Sequence, residues 1–262
     1  MSSPTQLRKQ FPKYQISVIA VIALIGIWAL VTNVGMVSET HLPSPQAMGG
    51  SILTLLVKGY ANVPLYEHIG YSLFRALSGF ILGVIFGIPA GLIGGYSRVV
   101  DAAVSPIMAF IRPIPPIAFI PMAVLYFGLG ETGKVVLIFF TAFNYAYVNA
   151  HAGASSISIA YVRAGQSLGL TPAQLFFNIV MPAALPQIFT GMKVAMALSW
   201  AVVVAAELVG AQKGVGFMIS DAAQVFQIPV VFIGIGLIGI IGLILNTTIS
   251  FLEMKIVHWK GR

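Results

Sequence analysis

Long runs without a single charged residue constrain this chain more than any other feature. Residues 16–35 hold no Asp, Glu, Lys or Arg, and runs of similar length recur almost to the C-terminus. About 20 apolar residues make one helix long enough to cross the hydrocarbon of a bilayer. Irregular backbone cannot face lipid, because its N–H and C=O groups would go unpaired there. The expected fold class is therefore all-α integral membrane, with the helices bundled against one another. Composition agrees: 58% of residues are hydrophobic and 8% charged, where a soluble domain carries roughly a quarter charged residues.

The formal charge of +7 does not point to nucleic acid, since the 14 Lys and Arg are scattered between the apolar runs. Membrane orientation accounts for them better. Cysteine is absent, which excludes disulfides, thiolate metal sites and cysteine nucleophiles. The four histidines stand apart in sequence, so no metal centre is expected.

Six spans are expected, at about 16–35, 70–96, 103–128, 134–156, 184–208 and 228–254. The first follows Arg8, Lys9 and Lys13 and lacks a small-residue cleavage site, so it reads as an uncleaved span and not a signal peptide. Residues 36–69, with Pro43, Pro45 and Pro64, suit an external loop with a partly helical surface segment. The expected organisation is an N-terminal span and loop over 1–67, a transmembrane core over 68–256 that includes a cytoplasmic loop at 156–183, and a tail over 257–262. With both termini inside, the inner segments hold Arg8, Lys9, Lys13, Arg98, Arg163, Lys255, Lys260 and Arg262, while Lys58, Lys134 and Lys213 lie outside. That bias follows the positive-inside rule.

Several segments carry more than hydropathy. Gly79, Gly83, Gly87, Gly91 and Gly95 recur every fourth residue, which gives a helix one groove without side chains that another helix can approach closely. Pro89, in the same run, is expected to bend that helix. The third span contains Arg112-Pro113-Ile114-Pro115-Pro116 and then Ile120-Pro121. An arginine at mid-membrane costs about 2.5–3.5 kcal/mol, so this stretch either lines a cavity or sends Arg112 back to the inner interface. Arg112, Pro115 and Pro116 are thus candidates for a translocation path. Glu207, near the outer end of the fifth span, is a candidate ion carrier, outer gate or simple polar contact.

Gly128 to Val135 nearly matches a phosphate loop, but Val135 stands where a hydroxyl would hold magnesium and no strand precedes it. It reads as a turn. No acid pair, histidine cluster or nucleophile with a base occurs at catalytic spacing, so no active site and no bound cofactor are expected.

Between Ser155 and Ala184 hydropathy fails, and the pattern reads as a short helix ending at Gly169, a turn at Thr171-Pro172 and a second helix stopped before Pro182. By its chemistry alone this is a connector or a docking surface. Its spacing resembles the loop of bacterial ABC importer permeases, which runs Glu-Ala-Ala, three residues, Gly, nine residues, Ile, one residue, Leu-Pro. Here Arg163, Ala164, Gly165, Gly169, Ile179, Met181 and Pro182 fall in those places, with Arg163, Gly165 and Met181 departing from the pattern. Residues 68–255 further resemble the nitrate, sulfonate and taurine branch of that family, through Arg112–Pro116, Phe127–Thr132, Ala205–Leu208 and Gly214–Met218. Pro115-Pro116 and Ala164–Gly169 look most like taurine permeases.

The resemblance implies a type I importer permease fold in the bacterial inner membrane, assembled with a second copy of itself. It also implies an ATPase dimer that binds ATP and magnesium, and a periplasmic or lipid-tethered binding protein that selects the solute. The loop would then couple ATPase closure to the spans. The competing readings are an ion-driven secondary transporter, with Glu207 as its ion site, and a membrane anchor without a pore.

Overall fold

The computed structural model describes residues 13–259. Arg8, Lys9, Lys260 and Arg262, which bear on orientation, lie outside the described residues. Among these residues eleven α-helices follow one another: α1 (Lys13–Asn33), α2 (Pro45–Lys58), α3 (Leu65–Tyr96), α4 (Arg98–Ile111), α5 (Ile120–Phe127), α6 (Glu131–Ser155), α7 (Ile159–Ser167), α8 (Pro172–Leu175), α9 (Met181–Gly210), α10 (Val215–Gln224) and α11 (Ile228–Ile256). Five stretches are long and apolar enough to cross a membrane, and α4 with the segment Pro116–Phe127 makes a sixth if the bent pair counts as one.

The core is built on α6, which packs between α3 and α9. Ala76, Ile138, Trp200, Val203 and Ile241 bring α3, α6, α9 and α11 together, and the Trp200 indole donates to the Ile238 carbonyl at 3.0 Å. The glycine stripe sets the α3–α6 distance. A Cβ on Gly79 would stand 2.6 Å from the Ile138 side chain, and one on Gly87 2.8 Å from the Phe143 carbonyl oxygen, while Gly83, Gly91 and Gly95 meet α6 in the same way. Successive contacts ascend both helices together, so α3 and α6 run parallel. Leucine at Gly83 is expected to force them apart at a cost of about 1–3 kcal/mol. Leucine at Gly236, which has nothing within 4 Å, should be silent in the same thermal unfolding measurement.

Two sequence expectations change. The third span is not one helix: α4 ends at Ile111, a 3₁₀ turn covers Pro116–Phe119, and the two halves meet at 85°. Each proline there withdraws an N–H and restricts the residue before it, so the helix breaks and does not merely bend. By contrast α3 continues through Pro89. The helix expected to stop before Pro182 does not stop either. Residues 172–210 run on as one long segment, with a π turn at Phe176–Val180 in which the Met181 amide reaches back to the Phe176 carbonyl. Widening the ring at that point relieves the clash that the Pro182 ring would make with the preceding turn.

Outside the bundle, α1 keeps its apolar face free, with no residue of its most apolar window buried. It is tied on by the Trp28 indole, which donates to the Pro43 carbonyl at 3.0 Å. An apolar helix of this kind is stable only in lipid.

Candidate functional site

Three stations along the bundle carry polar chemistry, called outer, middle and inner after the orientation expected from the basic segments, and of the outer one only Glu207 was a candidate. Arg75, on α3, is 1% exposed. Its Nε and Nη2 donate to Glu131 at 2.5 and 2.6 Å, and its Nη1 donates to Glu207 at 2.6 Å and to the Lys213 carbonyl at 2.8 Å. Glu207 is buried within the protein at 1% exposure, and accepts from the Ser72 hydroxyl at 2.7 Å and the Gly216 amide at 2.8 Å. Every oxygen of that carboxylate is therefore committed, as a buried charge requires.

This cluster holds the turn between α9 and α10. Gly214 has φ +134°, and a Cβ there would sit about 2.5 Å from the Glu207 oxygens, so only glycine fits. His68 completes the clasp. Its Nε2 faces the Tyr60 carbonyl at 3.2 Å and donates to it, and its Nδ1 lies 3.1 Å from both the amide nitrogen and the carbonyl oxygen of Gly214. Just outside, Lys213 pairs with Glu67 at 2.8 Å, and that hydrogen bond raises the lysine pKa above its ordinary value. The segment that resembled a phosphate loop is a turn here: α5 ends at Phe127, Gly128 takes φ +71°, and the Lys134 ammonium donates to the Leu129 carbonyl. A lone arginine within an uncharged run was the signal for this cluster, since such a charge needs a partner and the run supplies none.

The middle station is the break after α4. Arg112, Pro113 and Pro115 are exposed and Pro116 half-buried. A cavity of about 160 Å³ lies between α4 and α6, lined by Ser105, Met108, Ala109, Arg112, Tyr147, Val148 and His151. Arg112 has no hydrogen-bond or ion-pair partner among the described residues, and it faces this cavity instead of a carboxylate.

The inner station is the hairpin of α7 and α8. Ser158 caps α7, and Gly169 closes it at φ +77° as Leu170 reaches back to the Gly165 carbonyl. That is the left-handed stop for which glycine is preferred. Thr171 and Gln174 then form a reciprocal capping box with Pro172 in the first turn of α8. Gly165 is the contact point of the two helices: a Cβ there would come within 2.5 Å of Leu175 and 2.7 Å of Ile179. The departure from alanine at this position thus brings the helices closer. Arg163 and Ala164 are exposed, while Ile179, Met181 and Pro182 are half-buried where the hairpin passes into α9. Leu168 and Tyr161 project outward at 82% and 67% exposure. This inner end lies opposite the Arg75 cluster, at the far end of α9, a helix of 30 residues, or about 45 Å.

Comparison with known proteins places this arrangement. Residues 79–258 match the family described as "Binding-protein-dependent transport system inner membrane component". The taurine transport system permease protein TauC of Escherichia coli (strain K12) is 36% identical over 239 residues, covering 91% of this chain and 87% of that protein. The putative aliphatic sulfonates transport permease protein SsuC of Bacillus subtilis (strain 168) is 32% identical, with 91% and 85% covered. The nitrate import permease protein NrtB of Synechocystis is also 32% identical, with 94% and 90% covered. In fold, the chain is similar to the MetNI methionine ABC transporter in an inward-facing conformation, with a TM-score of 0.64 at 19% identity, covering 73% of this chain and 95% of that one. The chain therefore belongs to the family of binding-protein-dependent transport system inner membrane components, as a pore-forming permease subunit of an ATP-driven importer.

Proposed function

We propose that the cargo is taurine or a related small sulfonate, delivered by a separate binding protein, and that the chain works as a pair of copies on an ATPase dimer. The observation that carries the coupling part is the inner hairpin. Its outward face presents Tyr161 and Leu168 to water, yet its second arm continues into α9 and so reaches the Arg75 cluster. A partner that seats on Arg163 to Pro182 gains a lever on the pore. ATP and magnesium belong to that partner. Both termini lie in the cytoplasm on this reading, because the hairpin and the basic inner segments share one side.

The substrate rests on the relatives, of which the taurine permease has the highest identity among those named. Nitrate or another small anion is the second reading, supported by the nitrate import permease at 32% identity. The commitment of Glu207 to Arg75, Ser72 and Gly216 argues against a proton- or sodium-driven carrier, since such a carboxylate has no free oxygen to offer an ion.

Labelled taurine uptake, in a strain deleted for the gene and in the same strain complemented, tests the proposal. ATP-dependent uptake should disappear and return, with alkanesulfonates competing more strongly than nitrate. Normal uptake in the deletion, where no second taurine system exists, rejects taurine. In the complemented strain Arg112→Ala is expected to slow uptake about tenfold without loss of assembly, because an unpaired guanidinium facing a passing anion is worth about 1.4 kcal/mol to it.

A further inference from the structure

The cavity between α4 and α6 has Arg112 in its lining, and Asp101 stands just beyond the lining, hydrogen-bonded to two lining residues, Ser105 and His151. Asp101, Ser105, Met108, Ala109 and Arg112 lie on one face of α4, spaced by three or four residues. At the inner end, Asp101 Oδ1 accepts from both the Ser105 hydroxyl and His151 Nε2, the latter at 2.8 Å. Both of these bonds go to Oδ1. Oδ2 accepts none among the described residues, and the carboxylate is 48% exposed. Arg112 stands at the outer end with its guanidinium unpaired and the cavity before it. Eleven residues separate the two, about 16 Å of helix rise. Long side chains on a helix lean toward its N-terminus, so Arg112 reaches back over Met108 and shortens that gap. The cavity's volume of about 160 Å³ is far above the roughly 10–15 Å³ that one water requires.

We propose that this cavity is a binding station for a zwitterionic aminosulfonate, with Arg112 holding the sulfonate and Oδ2 of Asp101 holding the ammonium. The proposal rests on the sulfonate reading above and narrows it, because a simple anion uses only one end. Arg112 presents a planar fork of donors that matches the oxygens of a sulfonate. The carboxylate keeps a free acceptor on the oxygen that Ser105 and His151 leave uncommitted. Tyr147 and Val148 supply the apolar wall for the two-carbon link.

The test is direct binding to the assembled permease–ATPase complex in nanodiscs, without the binding protein. It is read by saturation-transfer NMR with taurine and with ethanesulfonate, which lacks the ammonium. The wild-type complex should bind taurine about tenfold more tightly than ethanesulfonate, as the loss of one charge-assisted hydrogen bond requires. Asp101→Asn keeps Oδ1 for Ser105 and His151 but replaces Oδ2 by a donor. It should lower taurine to the ethanesulfonate level and leave ethanesulfonate unchanged, while Arg112→Ala weakens both. Equal affinity for the two ligands in the wild type, or taurine binding unchanged in both variants, overturns the proposal. Cellular uptake separates the two layers: a complete importer that takes up taurine but whose complex does not bind it refutes the station alone. Cells that take up no taurine refute the substrate assignment and the zwitterion with it.

Discussion

Arg75→Ala is expected to cost about 3–5 kcal/mol of stability. Among the described residues the guanidinium is the only group that joins Glu131, Glu207 and the Lys213 carbonyl. Without it, Glu207 keeps the Ser72 hydroxyl and the Gly216 amide but is a buried charge that has lost the cation hydrogen-bonded to it, and the turn before α10 loses its anchor. In detergent, the thermal midpoint of the purified subunit should fall steeply. Adding Glu207→Gln in the same chain should restore part of the loss, because it removes the orphaned charge, and a double-mutant cycle should show coupling on the order of 0.5–3 kcal/mol. An unchanged midpoint for Arg75→Ala would show that water or lipid headgroups replace the pair at no cost, and that the outer cluster does not hold the turn.

The parts legible in the sequence were those set by spacing. The glycine stripe states its own periodicity, and α6, the fourth span, packs parallel to the second span that carries the stripe. Gly169, Thr171 and Pro172 mark the hairpin turn because each supplies a local need: a left-handed residue, a cap and a preset φ. What sequence could not supply was which side chains meet across the bundle. Arg75 and Glu207 are 132 positions apart, and nothing local to either names the other. The burial of Glu207 follows from that meeting, and its place near the end of a span does not foretell it. The same holds for Pro182. Proline predicts a stop from its own chemistry, but the π turn that lets the helix continue is built by the residues before it. At Arg112 the prolines foretold irregular backbone, and the angle between the two halves came only from the tertiary packing of α5 on α6.

The coupling hairpin separates strain from bulk in a single position. Gly169 takes φ +77° and has nothing within 4 Å of where a Cβ would stand, so the site is demanding in backbone and open in space. Asparagine tolerates the left-handed conformation well, and Gly169→Asn should transport almost normally. Gly169→Trp adds a backbone cost of about 1–2 kcal/mol, small for a membrane bundle anchored elsewhere, but it sets an indole beside Leu168 on the outward face of the hairpin. On the coupling reading, that indole keeps the ATPase from seating. The expected result is a subunit that inserts and pairs as before, while substrate-stimulated ATP hydrolysis by the complex falls by about tenfold or more, the loss of at least 1.4 kcal/mol of interface energy. The Asn variant is the control that assigns the effect to the surface and not to the turn. Stimulation that survives tryptophan intact would place the ATPase contact elsewhere and return Arg163 to Pro182 to the status of a connector.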